Sequence, residues 1–239
     1  MALIRPSEPT AMTADDAARR NNFGYAARSE LALRNALEAW CRTRFPEARV
    51  VHELVMGEGR VRADVVAIGT THIAAFEVKG SYDDTTRLLH QVGMFQLCVP
   101  EVWMVVAVDH GDDAKLIRHL LPSVGLITAP DMDRGWARRD EPPPITLTVA
   151  AEAVPRPVVP EMALAMLWAD ELRGACAALR VSVGAKATRT KMIEAIMAVT
   201  GSDEITGAIC TQLRRRDAVW RADPPDGLAT PTDTGDGDE

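Results

Sequence analysis

Short apolar runs broken by turn residues dominate the first half of the chain. Residues 62–79 hold two such runs, both rich in Val, Ile, Ala and Phe, and the small and polar residues 69–72 separate them. β-Branched and aromatic residues favour strands, and a Gly with short polar neighbours favours a turn, so the pattern predicts a β-hairpin. If residues 69 and 72 close the turn, Asp64 on the first strand lies directly opposite Glu77 on the second.

Three charged residues interrupt these otherwise apolar strands. Asp64 and Glu77 would face each other at about 5 Å. Lys79 would project on the same side as Glu77, because side chains alternate along a strand. Like charges that face each other destabilise a strand pair, so the arrangement predicts a cation between the two carboxylates.

The alternative interpretation of these charges is a solvated hairpin face. A second acid-x-Lys pattern, at residues 113–115, is typical of the first turn of a helix, where acids are favourable. The set Asp64, Glu77 and Lys79 differs because its members lie inside apolar strands and converge on one face. The chain also has only four lysines among its 27 basic residues, which favours a specific role for Lys79.

The order of these segments resembles that of the PD-(D/E)xK nuclease superfamily, in which an Asp on one strand and a Glu-x-Lys on the next form the site. In its small bacterial and phage members, a Gly-rich turn precedes the Asp strand, and a helix with a central Gln and a buried strand follow. The corresponding stretches here are GEGRVRADVV, AAFEVKGSYDD, RLLHQVGMF and VWMVVAV. The resemblance covers residues 24–130, with one departure, Ala63 in place of Pro. It implies a restriction-endonuclease-like fold, a mixed central sheet flanked by helices.

This resemblance implies a metal-dependent hydrolysis of phosphodiester bonds. Asp64 and Glu77 would hold Mg²⁺ or Mn²⁺, with the carbonyl of Val78 as a further ligand. The ion would neutralise charge on the phosphate and help to form the nucleophilic water. Lys79 would orient that water and stabilise its deprotonated form, a task that suits a compact ammonium better than a guanidinium fork.

Glu30 is a further candidate for the site. It falls inside the apolar stripe of a predicted helix, which is formed by Leu33, Leu37, Trp40 and Cys41. A carboxylate that faces the core implies a partner, and the resemblance implies that a first-helix Glu reaches the metal. The alternative is that Glu30 only stabilises the helix N-terminus.

Gln91 is the last catalytic candidate. It lies beside the predicted inward stripe of Leu88, Val92 and Phe95. Gln91-x-x-x-Phe95 resembles the Gln-x-x-x-Tyr signature of RecB-like nucleases, in which the Gln contacts DNA or the site. Phe95 lacks the hydroxyl of that Tyr, and the alternative role for Gln91 is that of an ordinary residue at the edge of an apolar stripe.

Strands that alternate with helices predict an α/β domain over residues 24–135, after a flexible N-terminus, residues 1–23. The predicted elements are strands near 50–55, 101–108 and 124–128, the hairpin, and helices over 84–98 and 112–121. Prolines then predict a linker over residues 136–160, in which residues 145–149 could add an edge strand.

Residues 161–222 predict a small all-α C-terminal module. Its helix, extended loop and second helix resemble SAP-type nucleic-acid-binding units. The resemblance implies phosphate contacts from the loop and from the start of the second helix, by Gly184, Lys186, Arg189 and Lys191. An ordinary helical hairpin that packs or dimerises is the alternative.

Composition limits the remaining classes of function. The net charge of −7 is concentrated in the tail, residues 223–239, which holds six acids and no base and is predicted to be disordered. The body is therefore nearly neutral, and a local basic face can still bind phosphate. The four cysteines are scattered, which argues against a zinc site or disulfides. The longest apolar run is too short for a membrane span, and we expect a cytoplasmic protein.

These observations together predict a Mg²⁺- or Mn²⁺-dependent deoxyribonuclease, with DNA as its partner and with roles in DNA repair, phage genome processing or restriction-like defence. Cutting both strands would need a homodimer or two successive nicks. The alternative functions are a non-catalytic nucleic-acid-binding protein and a protein-interaction protein, each built on a nuclease-like scaffold.

Overall fold

A six-stranded mixed sheet forms the centre of the protein. The computed structural model describes residues 14–132, 143–217 and 223–226, with side chains from residue 28 onward. The strands follow one another across the sheet in sequence order. They are β1 (Arg49–Met56), β2 (Val61–Ile68), β3 (Ile73–Lys79), β4 (Glu101–Ala107), β5 (Gly125–Ala129) and β6 (Thr148–Ala151).

Strand direction changes across the sheet. β1, β2 and β3 are antiparallel neighbours, β3, β4 and β5 are parallel, and β6 pairs antiparallel with β5. Parallel neighbours need crossover connections, which are supplied by α2 (Leu88–Cys98) and α3 (Gly111–Leu120). The predicted mixed α/β sheet flanked by helices is therefore confirmed.

The β2–β3 hairpin has the predicted register. Ile68 faces Ile73 and Val65 faces Phe76, and the amide of Gly69 donates to the carbonyl of His72 at 2.8 Å. Regular pairing ends at Val65, so Asp64 and Glu77 occupy the next facing positions without a ladder bond between them. This local irregularity is where the candidate site begins.

Helices cover both faces of the sheet. On one face, α1 (Ala14–Arg44) packs the predicted stripe residues Leu33, Leu37 and Cys41 against the sheet, all with no exposed surface. On the other face, α2 buries its predicted stripe, Leu88, Val92 and Phe95. The burial of these residues confirms both stripes. They could be predicted because helical periodicity alone determines which side chains share a face.

The C-terminal helices continue the second face. They are α4 (Pro160–Leu164), α5 (Ala169–Ala178), α6 (Arg189–Met197) and α7 (Ser202–Arg215). An extended segment joins α5 to α6, in agreement with the predicted helix–loop–helix. Their buried side chains, including Leu172, Met192 and Ile209, belong to the same apolar cluster as Met104 of the sheet. The apolar faces of these helices are therefore buried in the same core as the second face of the sheet.

The predicted linker is in part a fixed connection. It contains β6, and its following residues are bound to the body: the amide of Val154 donates to the carbonyl of Ser123, and that of Val159 to Leu97, both at 2.9 Å. Prolines exclude regular internal pairing, but an edge strand and isolated backbone hydrogen bonds remain available to such a segment. Residues 133–142 lie outside the described part of the chain.

The two chain ends are described only in part. Helix α1 begins at Ala14, inside the segment predicted to be flexible, and residues 1–13 lie outside the described residues. Of the predicted disordered tail, Asp223 and Asp226 form hydrogen bonds with the body; residues 227–239 are also outside the described residues. All four cysteines are buried and free. No described helix is long and apolar enough to cross a membrane.

Candidate active site

Three carboxylates lie in one row across β1, β2 and β3. The β1–β2 register runs from His52 opposite Val65 to Leu54 opposite Ala63, which places Glu53 across from Asp64 without a ladder pair. The β2–β3 register places Asp64 across from Glu77. Glu53 has a φ of 59°, a left-handed conformation that is uncommon for a residue with a side chain and that often marks functional sites. Beyond this row β2 pairs with β1 alone, and a cleft opens beside β3.

An arginine from α1 lies between these acids. Arg34, only 8% exposed, donates from Nη1 to Glu53 Oε1 at 2.5 Å and from Nη2 to Asp64 Oδ1 at 2.6 Å. Its Nη2 also pairs with Glu30 Oε1 at 2.7 Å. The protein itself thus supplies part of the counter-charge that facing carboxylates require.

Asp64 is also tied to β3. Its Oδ2 accepts the amide N–H of Val78 at 2.7 Å, where a ladder bond from β2 would otherwise form. Val78 was predicted to offer its carbonyl to a metal, and the contact it makes with Asp64 uses its amide. This hydrogen bond fixes the carboxylate beside Glu77.

Glu77 contacts two other predicted site residues, Lys79 of β3 and Gln91 of α2. Its Oε1 accepts from Lys79 Nζ at 2.9 Å and from Gln91 Nε2 at 2.5 Å. Its Oε2 is buried and has no hydrogen-bond partner within the described part of the chain. An unpaired buried carboxylate oxygen is costly, so this atom is the one best placed to receive a cation.

Burial makes the carboxyl groups of Asp64 and Glu77 weaker acids than usual. Desolvation raises the pKa of Asp64 to about 6, although Arg34, the Val78 amide and Lys79 oppose it. Desolvation, followed by the charge of Asp64, raises the pKa of Glu77 to about 7. The ionised forms are therefore incompletely stabilised, and a bound cation would relieve this.

The cleft that contains these residues has a volume of about 510 Å³ and is lined by all five predicted catalytic residues. Its lining holds three carboxylates and five cationic side chains, with the exposed Arg60, Arg62 and Arg87 at its rim, where Arg60 pairs with Glu58 and Arg62 with Glu53. Exposed cationic side chains at the rim of a concave surface favour polyanionic ligands, even on a protein of net charge −7.

The donor atoms fit a hard divalent cation. Asp64 and Glu77 offer carboxylate oxygens, the ligands that Mg²⁺ prefers, and each oxygen that accepts one hydrogen bond retains a second lone pair. The described residues contain no ready-made cluster of three or more His, Cys, Asp or Glu in metal-binding geometry. An ion would thus have few protein ligands and keep several waters, as Mg²⁺ commonly does.

The predicted nucleic-acid residues of the C-terminal helices lie elsewhere. Gly184, Lys186, Arg189 and Lys191 are exposed at the α5–α6 loop and the start of α6, outside the lining of the cleft. Thr188 caps α6 by accepting the amide of Lys191 at 3.3 Å. The guanidinium of Arg189 donates to two backbone carbonyls, so part of its role is structural.

Sequence reasoning missed Arg34 and Glu53. The spacing of Glu30 and Arg34, four residues apart on a helix, is the signal that could have identified the arginine. Glu53 is an acid within an apolar strand, the same signal that identified Asp64. Arg62 pairs with Glu53, and no sequence pattern apart from its charge identifies it as a site residue.

The fold and the cleft define the class: a mixed α/β protein with a buried Asp–Glu–Lys cluster at the end of a β-hairpin. The family model for bacteriophage P4 protein cII matches residues 27–223, most of the chain, so the chain belongs to that family. The matched segment includes every residue of the cleft described above. No curated protein and no solved structure shows significant similarity to the chain.

Proposed function

We propose that this protein is a metal-dependent deoxyribonuclease of the PD-(D/E)xK type, with a restriction-endonuclease-like fold. The observation that carries the proposal is the buried contact of Lys79 with Glu77 beside Asp64, in a cleft whose rim is cationic. A solvated hairpin face would leave these charges exposed, but Glu77 and Lys79 are both buried.

The proposal assigns roles to the predicted residues of β2, β3 and α2 and to the arginines of the rim. Asp64 and Glu77 would hold Mg²⁺ or Mn²⁺, which supplies Lewis-acid stabilisation of the phosphate and a more acidic water. Lys79 holds its ammonium within the cleft, where it can orient a water and stabilise developing negative charge. Gln91 fixes Glu77 through their hydrogen bond, and the arginines of the rim bind backbone phosphates.

The C-terminal helices would extend the DNA-binding surface. Gly184, Lys186, Arg189 and Lys191 form an exposed group with three positive charges, which suits phosphate contacts. Membership of a phage protein family favours phage DNA processing among the three biological roles considered. A cytoplasmic location is part of the same proposal.

One observation favours the second candidate, a non-catalytic nucleic-acid-binding protein. Arg34 already neutralises part of the negative charge of Asp64, Glu53 and Glu30. If that guanidinium replaces a metal permanently, the cleft could bind phosphate without cutting. The two candidates differ in what the carboxylates do, and a cleavage assay separates them.

The test is incubation of supercoiled, linear and single-stranded DNA with Mg²⁺ or Mn²⁺, using wild type, Asp64→Ala and Lys79→Ala. The second acid-x-Lys pattern supplies a matched control, Asp113→Ala with Lys115→Ala, on the exposed side of α3. Cleavage by wild type and by the control, abolished by EDTA and by either cleft substitution, supports the nuclease. Binding without cleavage under all conditions, equal in wild type and variants, would favour the non-catalytic protein.

A further inference from the structure

A second cavity adjoins the carboxylate cleft. It has a volume of about 390 Å³ and shares two lining residues with the cleft, Val55 and Gly59 at the tip of the β1–β2 hairpin. Its far side is formed by the C-terminal helices, through Trp168, Arg189 and Thr190. The two cavities are therefore neighbouring parts of one surface that crosses the hairpin tip.

Trp168 is an unusual residue to find on this surface. The residue is 56% exposed although its indole is the largest apolar group in the cavity lining. Its backbone is fixed at the start of α5, where its amide donates to Glu171 Oε2 at 2.7 Å. A large exposed indole in a concave site is typical of a binding surface, because water is a poor solvent for it.

One side of the indole is already supported. The guanidinium of Arg216 lies 4.3 Å from the ring centroid, and Arg216 is itself held by Glu171 and by the carbonyl of Met166 at 2.8 Å. This support fixes the orientation of the ring and leaves more than half of the residue accessible. A rigid, supported aromatic face is suited to stacking against a planar ligand.

The charges beside Trp168 suit a phosphate backbone. Arg189 donates to the carbonyls of Ala165 and Leu167 at 2.8 and 2.9 Å, and it forms no ion pair with any described carboxylate, so its positive charge is not neutralised. Across the shared residues lies the rim of the carboxylate cleft, with the exposed Arg60, Arg62 and Arg87. Glu58, which also lines the cavity, pairs with Arg60 at 3.7 Å, so the surface combines exposed cationic side chains with one exposed aromatic ring.

We infer that a single strand of nucleic acid runs from the carboxylate cleft over Val55 and Gly59 and stacks an unpaired base on Trp168, with Arg189 contacting a phosphate. A base inside a duplex is already stacked on both faces, so a lone aromatic platform favours unpaired strands. This inference rests on the proposed function and narrows its substrate to DNA with a single-stranded portion.

The test measures binding separately from cleavage. Labelled single-stranded and duplex oligonucleotides are titrated in EDTA against wild type, Trp168→Ala and Trp168→Phe, with Leu116→Ala as the control for loss of an equally exposed apolar side chain on α3 (Leu116 is 62% exposed). We expect Trp168→Ala to weaken single-strand binding about 5- to 100-fold, the usual effect of losing one base stack. Trp168→Phe should retain most of the affinity, and Leu116→Ala all of it.

Intrinsic fluorescence provides a second readout. A base stacked on Trp168 should quench part of the wild-type emission on binding, and this part should be absent in Trp168→Phe, which keeps the fold if Trp168→Ala does not. Unchanged single-strand affinity in both variants, or equal loss for duplex and single strand, overturns the inference even if cleavage is observed. If Trp168→Ala loses single-strand binding but wild type never cleaves DNA, the inference is retained and the proposal of a nuclease is rejected. If wild type binds no nucleic acid, the inference fails and the cavity becomes a candidate protein-binding site.

Discussion

Two aspartates of this protein are held by the same kinds of donor, an α1 arginine and a strand amide. Asp64 accepts from Arg34 at 2.6 Å and from the Val78 amide at 2.7 Å. Asp223 accepts from Arg42 at 2.7 Å and from the Val50 amide at 2.8 Å. From these contacts alone the two carboxylates would be expected to behave alike.

Their acidities nevertheless differ in direction. Burial raises the pKa of Asp64 to about 6, and the nearby charge of Glu53 adds to the rise. Burial also opposes ionisation of Asp223, but the hydrogen bonds from Arg42 and the Val50 amide outweigh it and lower its pKa. Equivalent donors therefore stabilise the ionised form of Asp223 near the surface. In the buried site, where other acids are close, they leave the negative charge of Asp64 incompletely stabilised.

The largest expected difference between the two aspartates is in catalysis. Asp64→Asn should reduce the rate of DNA cleavage at least about a hundredfold, because loss of a charged metal ligand removes several kcal/mol of transition-state stabilisation. Asp223→Asn should change the rate less than about twofold. Initial rates with Mg²⁺ measure both, and similar losses in the two variants would show that Asp64 acts only through the fold.

At neutral pH, Asp223→Asn should lower the free energy of unfolding more than Asp64→Asn does. Asp223→Asn should lower the free energy of unfolding by about 1–3 kcal/mol, because it weakens hydrogen bonds to an ionised group. The folded pKa of Asp223 is depressed, so its contribution is present above the unfolded pKa of about 3.9 and is lost as the pH falls through the folded value. Urea unfolding at several pH values checks this. A loss that persists unchanged at pH 3 would contradict it.

Asp64→Asn should have the opposite pH trend. Its folded pKa is raised, so the stability of wild type relative to this variant should decrease as the pH rises from about 4 through about 6. Between pH 5 and pH 8 the expected change is on the order of 1 kcal/mol, because only the part of the titration from pH 5 to the folded pKa of about 6 falls within this range. Unfolding curves of both proteins at pH 5 and pH 8, without divalent metal, provide the measurement. A difference that grows with pH would show that ionised Asp64 is well stabilised.

Metal binding should depend on pH through the same groups. Ionised Asp64 and Glu77 are the binding form, and their pKa values are raised to about 6 and about 7. Mn²⁺ affinity should therefore rise up to about a hundredfold per pH unit below pH 6, where both groups lose a proton, and about tenfold per pH unit between pH 6 and pH 7, and level off above pH 7, with release of protons. Calorimetry in buffers of different ionisation enthalpy detects both effects. If Mn²⁺ affinity does not depend on pH, the metal is bound by other ligands. Glu77→Gln, which removes one proposed ligand, is the control that binding occurs at this site.

The smallest expected effect concerns Arg34. Arg34→Met should increase Mn²⁺ affinity severalfold at pH 8, because the metal would no longer share Asp64 with a guanidinium. Removal of a buried charge partner also destabilises the fold, so Arg34→Lys serves as the milder variant, and thermal unfolding accompanies the titrations. Weaker metal binding in both folded variants would show that Arg34 positions Asp64 and does not compete for it.

Much of this site could be predicted from the sequence, because its main features are local. Alternation along two strands and a four-residue turn determine that Asp64 faces Glu77 and that Lys79 follows on the same side. Helical periodicity likewise determined which side of α2 faces the core and placed Gln91 beside its apolar stripe. Each of these patterns is set by the geometry of a single element or of one hairpin.

Only the tertiary structure decided how α1 meets the hairpin and what covers the second face of the sheet. Arg34 contacts the carboxylates where the β1–β2 pairing is interrupted at Glu53, and no local pattern specifies that interruption or the packing of α1 over it. The C-terminal helices looked like a separate module, but their apolar faces are buried with those of the sheet. Burial against a distant segment is a sum of many contacts across the chain, and periodicity shows which face is buried without showing what buries it.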